Sequence, residues 1–203
     1  MRHRSLAPLL PNLSLGHPPP TILIIGSAPG EASLIAQRYY AYKYNHFWPI
    51  VTRLFHFDID APYEQRVVAL TSRGVAVWDV CREFTRKGSL DSNLRGVTAN
   101  DFVSLFDAWP SIRLVASNGG TSYALFRRHV GVAEMERRGM VHVLLPSSSP
   151  AHAMKNAVEE KTRRWKETLQ IGSNGELLLG KQGSSTEKAV KEAEQGDLVE
   201  IEE

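Results

Sequence analysis

Gly26-Ser27-Ala28-Pro29-Gly30 ends a short apolar run, and Tyr39, Tyr40, Asn45, Phe47 and Trp48 follow within the same segment. Two glycines and a proline fix a tight turn and let a ligand approach the backbone closely. A tyrosine can lay its ring on a planar base while its hydroxyl stays wet, a stack worth ~1–3 kcal/mol. Phe47 and Trp48 read mainly as core, whereas Tyr39 and Tyr40 divide evenly between core and ligand contact. Asn45 has two readings. Its amide carbonyl can hold a water while the NH2 ties it to the backbone, or the side chain can cap the helix carrying Phe47 and Trp48. The turn lacks the Lys-Ser/Thr pair of a P-loop and the spacing of a dinucleotide fingerprint, so neither is assigned.

Three other segments carry polar groups of interest. In Leu145–Ala153 (LPSSSPAHA), Ser147, Ser148 and Ser149 offer hydroxyls and backbone N–H groups to phosphates, and Pro150–Ala151 offers a small apolar wedge. His152 either touches a phosphate or an orphaned base, or faces the start of the last helix. Asp79 can accept a hydrogen bond from a base N–H, or can serve as a cap or pair with Arg82 or Arg86. Ser117-Asn118-Gly119-Gly120 reads as a structural or phosphate-facing turn ahead of a helix.

The elements that must position these residues alternate. Thr21–Ile25, Val75–Val77 with Trp78, Leu114–Ala116 and Val141–Leu145 are short β-branched runs, as expected of strands buried on both faces. Helical patterns cover Ser33–Tyr39, Phe47–Phe55, Tyr63–Ser72, Ala99–Trp109, Ser122–His129 and Ala153–Gln170. The alternation predicts an α/β fold, a three-layer α/β/α sandwich around a central four-stranded parallel sheet. Ligands of such sheets bind beyond the carboxyl ends of the strands. The Gly26 turn and the serine loop both begin there.

Of 203 residues, 42% are hydrophobic and 23% charged, enough for one well-buried domain. Cys81 is the sole cysteine, which excludes an intrachain disulfide and a Cys-based zinc cluster. No apolar run approaches the ~20 residues of a membrane span. The net charge of +2 is uneven: from Gly172 onward 8 acids face 3 lysines, leaving 21 basic against 14 acidic residues before it. A basic body suits a polyanion, and equally describes an ordinary basic protein. Residues 1–20 hold five prolines and no acid and predict an irregular arm. Arg2 and Arg4 resemble a mitochondrial targeting segment, but the prolines disfavour its amphipathic helix. Residues 21–171 form the expected domain, and 172–203 a Gly/Ser-rich, then acidic, disordered or loosely helical tail.

The run GSAPGEASLIAQRYYAYKYNHFW resembles the first motif of the hypoxanthine-DNA glycosylases, a family of the uracil-DNA glycosylase superfamily. It also aligns without a gap to the motif of the mismatch-specific uracil-DNA glycosylases. The resemblance implies base contacts from Gly26, Ser27, Ala28, Pro29, Gly30 and Asp79, with Tyr40 in the place of the aromatic that stacks on the flipped base. Ala28 replaces the Asn that positions the hydrolytic water. The hypoxanthine family shares that departure, and the catalytic role passes to Asn45. LPSSSPAHA resembles the second motif, which presses the minor groove, although Leu145 stands where the best-studied uracil enzymes carry a His. The Trp78–Asn93 segment also resembles the hypoxanthine family. Ser147, Ser148, Ser149, Pro150 and His152 are then the expected DNA contacts.

The implied protein is a monofunctional DNA glycosylase of base excision repair that leaves an abasic site, with hypoxanthine preferred and uracil possible. Its partner would be double-stranded DNA with a damaged or mismatched base. No metal, cofactor or membrane is expected, and the chain would be an intracellular monomer of nucleus or nucleoid. An inactive lesion- or nucleic-acid-binding protein retaining the fold is the alternative. A serine hydrolase built on Ser147 or Ser149 with His152 ranks third, since no strand–GxSxG–helix elbow is present.

Overall fold

The computed structural model describes residues 2–151, 156–173 and 175. Its central sheet is parallel, with strands β2 (Ile22–Gly26), β3 (Val75–Asp79), β6 (Leu114–Asn118) and β7 (Val141–Leu145) in the order β3-β2-β6-β7. Alternation along β2 assigns the two faces. Ile22 and Ile24 join Phe47, Ile50, Leu54, Trp165 and Leu169 on one side, while Leu23 and Ile25 join Phe102, Phe106, Phe126 and Met135 on the other. The first face is covered by α2 (Phe47–Phe55), α3 (Tyr63–Thr71) and α7 (Ala157–Leu169). The second is covered by α4 (Phe102–Ala108), α5 (Gly120–His129) and α6 (Val132–Arg137). The expected three-layer sandwich is therefore present. A short helix α1 (Glu31–Ala36) follows the Gly26 turn.

A second sheet departs from the sequence expectation. Strands β1 (Arg2–Arg4), β4 (Cys81–Thr85) and β5 (Arg95–Ala99) form an antiparallel ribbon in the order β1-β4-β5. Residues 1–20 are thus not simply an irregular arm. Arg2–Arg4 pair with Glu83–Thr85, and Leu9 exchanges both backbone hydrogen bonds with Val77, at 2.8 and 3.0 Å. The physical reason is the open edge of β3, which would otherwise leave N–H and C=O groups unpaired. Pro8 and Pro11 lack the N–H needed to extend that pairing, so the contact is a single bridge.

Candidate active site

At its carboxyl end β2 lies in register with β3, Gly26 opposite Asp79. The chain then turns away while the carbonyls of Gly26 and Ser27 accept from Val80 and Cys81, at 2.8 and 2.9 Å. A Cβ on Gly26 would overlap Asp79 Oδ1 and lie 3.2 Å from the Tyr40 hydroxyl, so these two side chains keep their places only because the strand ends in glycine. The segment after β4 braces the turn from outside. Ser27 Oγ donates to Asp91 Oδ2 at 2.7 Å, Ser89 Oγ accepts from the Glu31 N–H at 3.3 Å, and Arg86 donates to the Pro29 carbonyl. The Arg86 side chain is 2% exposed, lies over the Phe84 ring and sits 3.5 Å from Asp91. Ala28 and Gly30 are half-buried and Pro29 is buried.

Four side chains from three segments form one hydrogen-bonded chain. The Asn118 amide donates to the Tyr40 hydroxyl at 3.1 Å and to Ser148 Oγ at 2.8 Å, and its carbonyl accepts from the Ser148 N–H at 2.7 Å. Ser148 Oγ donates in turn to Asn45 Oδ1 at 2.9 Å, which also accepts from the Phe47 N–H at 2.9 Å. Both acceptor positions of that oxygen are filled. This corrects the expectation that Asn45 holds water through its carbonyl: the oxygen is the cap, and Nδ2 is the group left without a partner among the described residues. The two readings of Asn45 are compatible once they are given to different atoms.

Tyr40 takes a positive φ of 53°, which turns its ring parallel to Phe47 at 3.8 Å between centroids. One face of Tyr40 is therefore taken by protein, leaving at most the other for a base. Tyr39, Phe47 and Trp48 are core residues, between 0% and 5% exposed. The Tyr39 hydroxyl donates to the Leu6 carbonyl, which ties the arm to this wall.

Asp79 is buried at 3% exposure and pairs with neither Arg82 nor Arg86. Ser5, carried in by the arm, donates to its Oδ2 at 3.2 Å; Oδ1 has no partner among the described residues. Burial pushes the carboxyl up to about 7. The Ser5 hydroxyl opposes that rise, Asp91 adds to it, and Arg86 lowers it. The same burial, with Asp79 nearby, raises the Tyr40 phenol well above its ordinary range.

The serine loop only partly matches its expected role. Ser148 is 1% exposed with its hydroxyl and N–H both spent inside the protein, so it is an internal strut and not a phosphate contact. Ser147 Oγ and Ser149 Oγ accept from the Ser149 and Ala151 N–H groups, while Pro150 is exposed. His152 lies outside the described residues, as does most of the acidic tail. Beneath the loop, Lys161 is fully buried and donates to the Ser149 carbonyl at 3.1 Å, with His46 Nδ1 at 3.4 Å. Burial lowers the Lys161 ammonium, and burial followed by Lys161 lowers His46. The sequence reading missed Lys161, although a spacing of four places it in one stripe with Ala157, Trp165 and Leu169. Among the described residues no group of three or more His, Cys, Asp or Glu could hold a metal. No helix there is long and apolar enough to cross a membrane.

A family model for the uracil DNA glycosylase superfamily matches residues 13–170. The chain belongs to that superfamily. Among its relatives in the superfamily, a hypoxanthine DNA glycosylase of Methanosarcina acetivorans is 35% identical over 134 residues, covering 64% of this chain and 80% of the relative. A second protein of that name, from Methanosarcina barkeri, is 29% identical over 152 residues, covering 73% and 90%. The solution NMR structure of a candidate uracil DNA glycosylase from Methanosarcina acetivorans superposes with a TM-score of 0.64 at 30% identity. It covers 80% of this chain and 96% of that one. The superfamily match spans the parallel sheet, the Gly26 turn and the serine loop.

Proposed function

We propose that this superfamily member is a monofunctional DNA glycosylase that removes deaminated bases from double-stranded DNA, hypoxanthine ahead of uracil. The observation that carries the reading is the Tyr40–Asn118–Ser148–Asn45 chain, which binds the Tyr40–Asn45 segment and the end of β6 to the serine loop as one unit. The relatives named as hypoxanthine DNA glycosylases support the choice of base.

In the reaction the bond between C1′ and the base nitrogen breaks and its electron pair leaves with the base. A water oxygen then bonds to C1′, and the proton lost by that water neutralises the base. Extruding the nucleotide costs a few kcal/mol and is easiest at a mispair. Tyr40 offers the base the face turned away from Phe47. Asn45 Nδ2 serves as a donor, either to the base or to the oxygen of the attacking water, while Oδ1 keeps the serine loop in place. Lys161 is buried against the Ser149 carbonyl, which withholds it from C1′ as a nucleophile and fits an enzyme that leaves the strand intact.

Purified full-length protein is expected to release hypoxanthine from an inosine-containing duplex, with uracil released more slowly. Abasic product from neither duplex would overturn the assignment in favour of a lesion-binding protein, which Ala28 and the apolar Leu145 also permit.

Asp79 completes the site. A neutral carboxyl can donate to the oxygen of a departing base anion, where a carboxylate would repel it. The groups around it are Ser5, Tyr39, Tyr40, Cys81, Asp91 and Arg86. Excision is then expected to fall as pH rises through about 7, and Asp79→Asn to flatten the profile. Stability runs the same way. The folded carboxyl holds its proton up to about 7 and the unfolded one loses it near 3.8, so stability present at acid pH is lost across that window. The span amounts to on the order of 4 kcal/mol. Thermal melts at pH 5 and pH 8, with and without Asp79→Asn, check the sign; a wild type no less stable at the higher pH refutes it.

A further inference from the structure

Between Tyr40 and Asn45 the chain carries Tyr42, Lys43 and Tyr44, none of which the site above uses. Tyr42 and Tyr44 are 49% and 57% exposed, their rings meet edge to face at 5.5 Å, and the Lys43 ammonium lies 4.7 Å from the centre of the Tyr44 ring. Short bonds hold this segment at both ends. The Ala41 N–H donates to Ser33 Oγ at 3.2 Å, the Asn45 N–H to the Tyr42 carbonyl at 2.8 Å, and the His46 N–H to the Ser148 carbonyl at 2.9 Å. The rings therefore stand on a fixed base beside Asn45 and the serine loop.

Two large rings left in water next to a cation have the composition of a surface on which bases stack and a phosphate is neutralised. These rings also supply something that the other described residues of the site do not. Extruding a nucleotide opens a gap in the stack, and proteins that unstack DNA fill such gaps with a bulky side chain. The described part of the serine loop offers only Pro150 and Ala151. Ile35 and Leu90, also exposed, are aliphatic and have no π face to stack on a base.

We propose that Tyr42 and Tyr44 form a stacking surface for the bases left unpaired or unstacked at an extruded nucleotide, with Lys43 on the adjacent phosphate. The inference rests on the reading of this chain as a DNA glycosylase, but its test reads binding and needs no excision. The full-length protein is titrated with a duplex holding one tetrahydrofuran abasic site and with the undamaged duplex. Y42A/Y44A is expected to weaken binding to the abasic duplex by roughly 10-fold or more. Y42F/Y44F keeps the rings and should bind as the wild type does. K43A should reduce the salt dependence by about one counterion. Wild-type affinity in the alanine pair overturns the proposal. So does an equal loss in the phenylalanine pair, or a melting temperature lowered in the alanine pair alone. A protein that binds through these rings yet excises nothing overturns only the glycosylase reading. One that excises yet binds equally well without them overturns only the stacking surface.

Discussion

Asn45→Ala is expected to lower single-turnover excision by about 10²–10³-fold, the range seen when one preorganised donor is removed from a reacting centre. Two losses combine in that variant. Nδ2 disappears from the site, and Ser148 Oγ and the Phe47 N–H lose their shared acceptor. Asn45→Asp separates them. A carboxylate oxygen still accepts from both partners, so the loop and the start of α2 should stay in place, but the second oxygen cannot donate. If Nδ2 is the working group, the aspartate variant is nearly as slow as the alanine one while its melting temperature stays near the wild type. A fast aspartate variant would show instead that an acceptor suffices at that position, and the donor role of Asn45 would be lost.

Gly26→Ala should abolish excision almost as completely from a position that need not touch the substrate. The added methyl falls on Asp79 Oδ1 and crowds the Tyr40 hydroxyl, and β2 cannot retreat because β3 and β6 flank it in register. The Asp79 carboxyl must swing out of its place, away from Ser5, while the Tyr40 hydroxyl gives slightly beside Asn118; the carboxyl is then no longer aimed into the site. Overpacking of this kind costs about 1–3 kcal/mol, so the protein should still fold. A circular dichroism spectrum like that of the wild type, with excision near background, is the expected pair of results. An active Gly26→Ala enzyme would mean that Asp79 and Tyr40 are not jointly placed for the chemistry.

The parallel sheet was legible because its strands are unbroken β-branched runs such as Thr21–Ile25, whose composition alone signals burial on both faces. The antiparallel ribbon was not. Cys81–Thr85 (CREFT) sets two charges side by side and Arg95–Ala99 (RGVTA) carries a glycine and a single large apolar residue, so neither shows a strand pattern, and Arg2–Arg4 becomes a strand only because a distant edge needs covering. The Gly26 turn and Asp79 stand out as candidates because glycines, a proline and a carboxylate are conspicuous at the ends of apolar strands. Tyr40 and Asn45 stand out only through the resemblance of their segment to a family motif. Ser148 was misread because a serine in a loop carries no mark of burial. The central position of Asn118 arises from contacts with residues far along the chain in both directions, so its local Asn-Gly turn could report only the turn. The sequence offers Asn45 as a candidate, but which of its two amide atoms is spent and which is left depends on partners that only the fold supplies.

The contact between Ser5 and Asp79 separates two things usually kept together in one stretch of sequence. The superfamily match begins at residue 13, so the hydroxyl that restores part of the acidity burial takes from this carboxyl comes from outside the matched region. Two enzymes identical at every residue of the Gly26 turn, the serine loop and β3 could therefore work best at different pH, according to what the first few residues of each lay across the edge of the sheet. A change in the arm would thus reach the Asp79 carboxyl without altering any residue of the Gly26 turn or the serine loop.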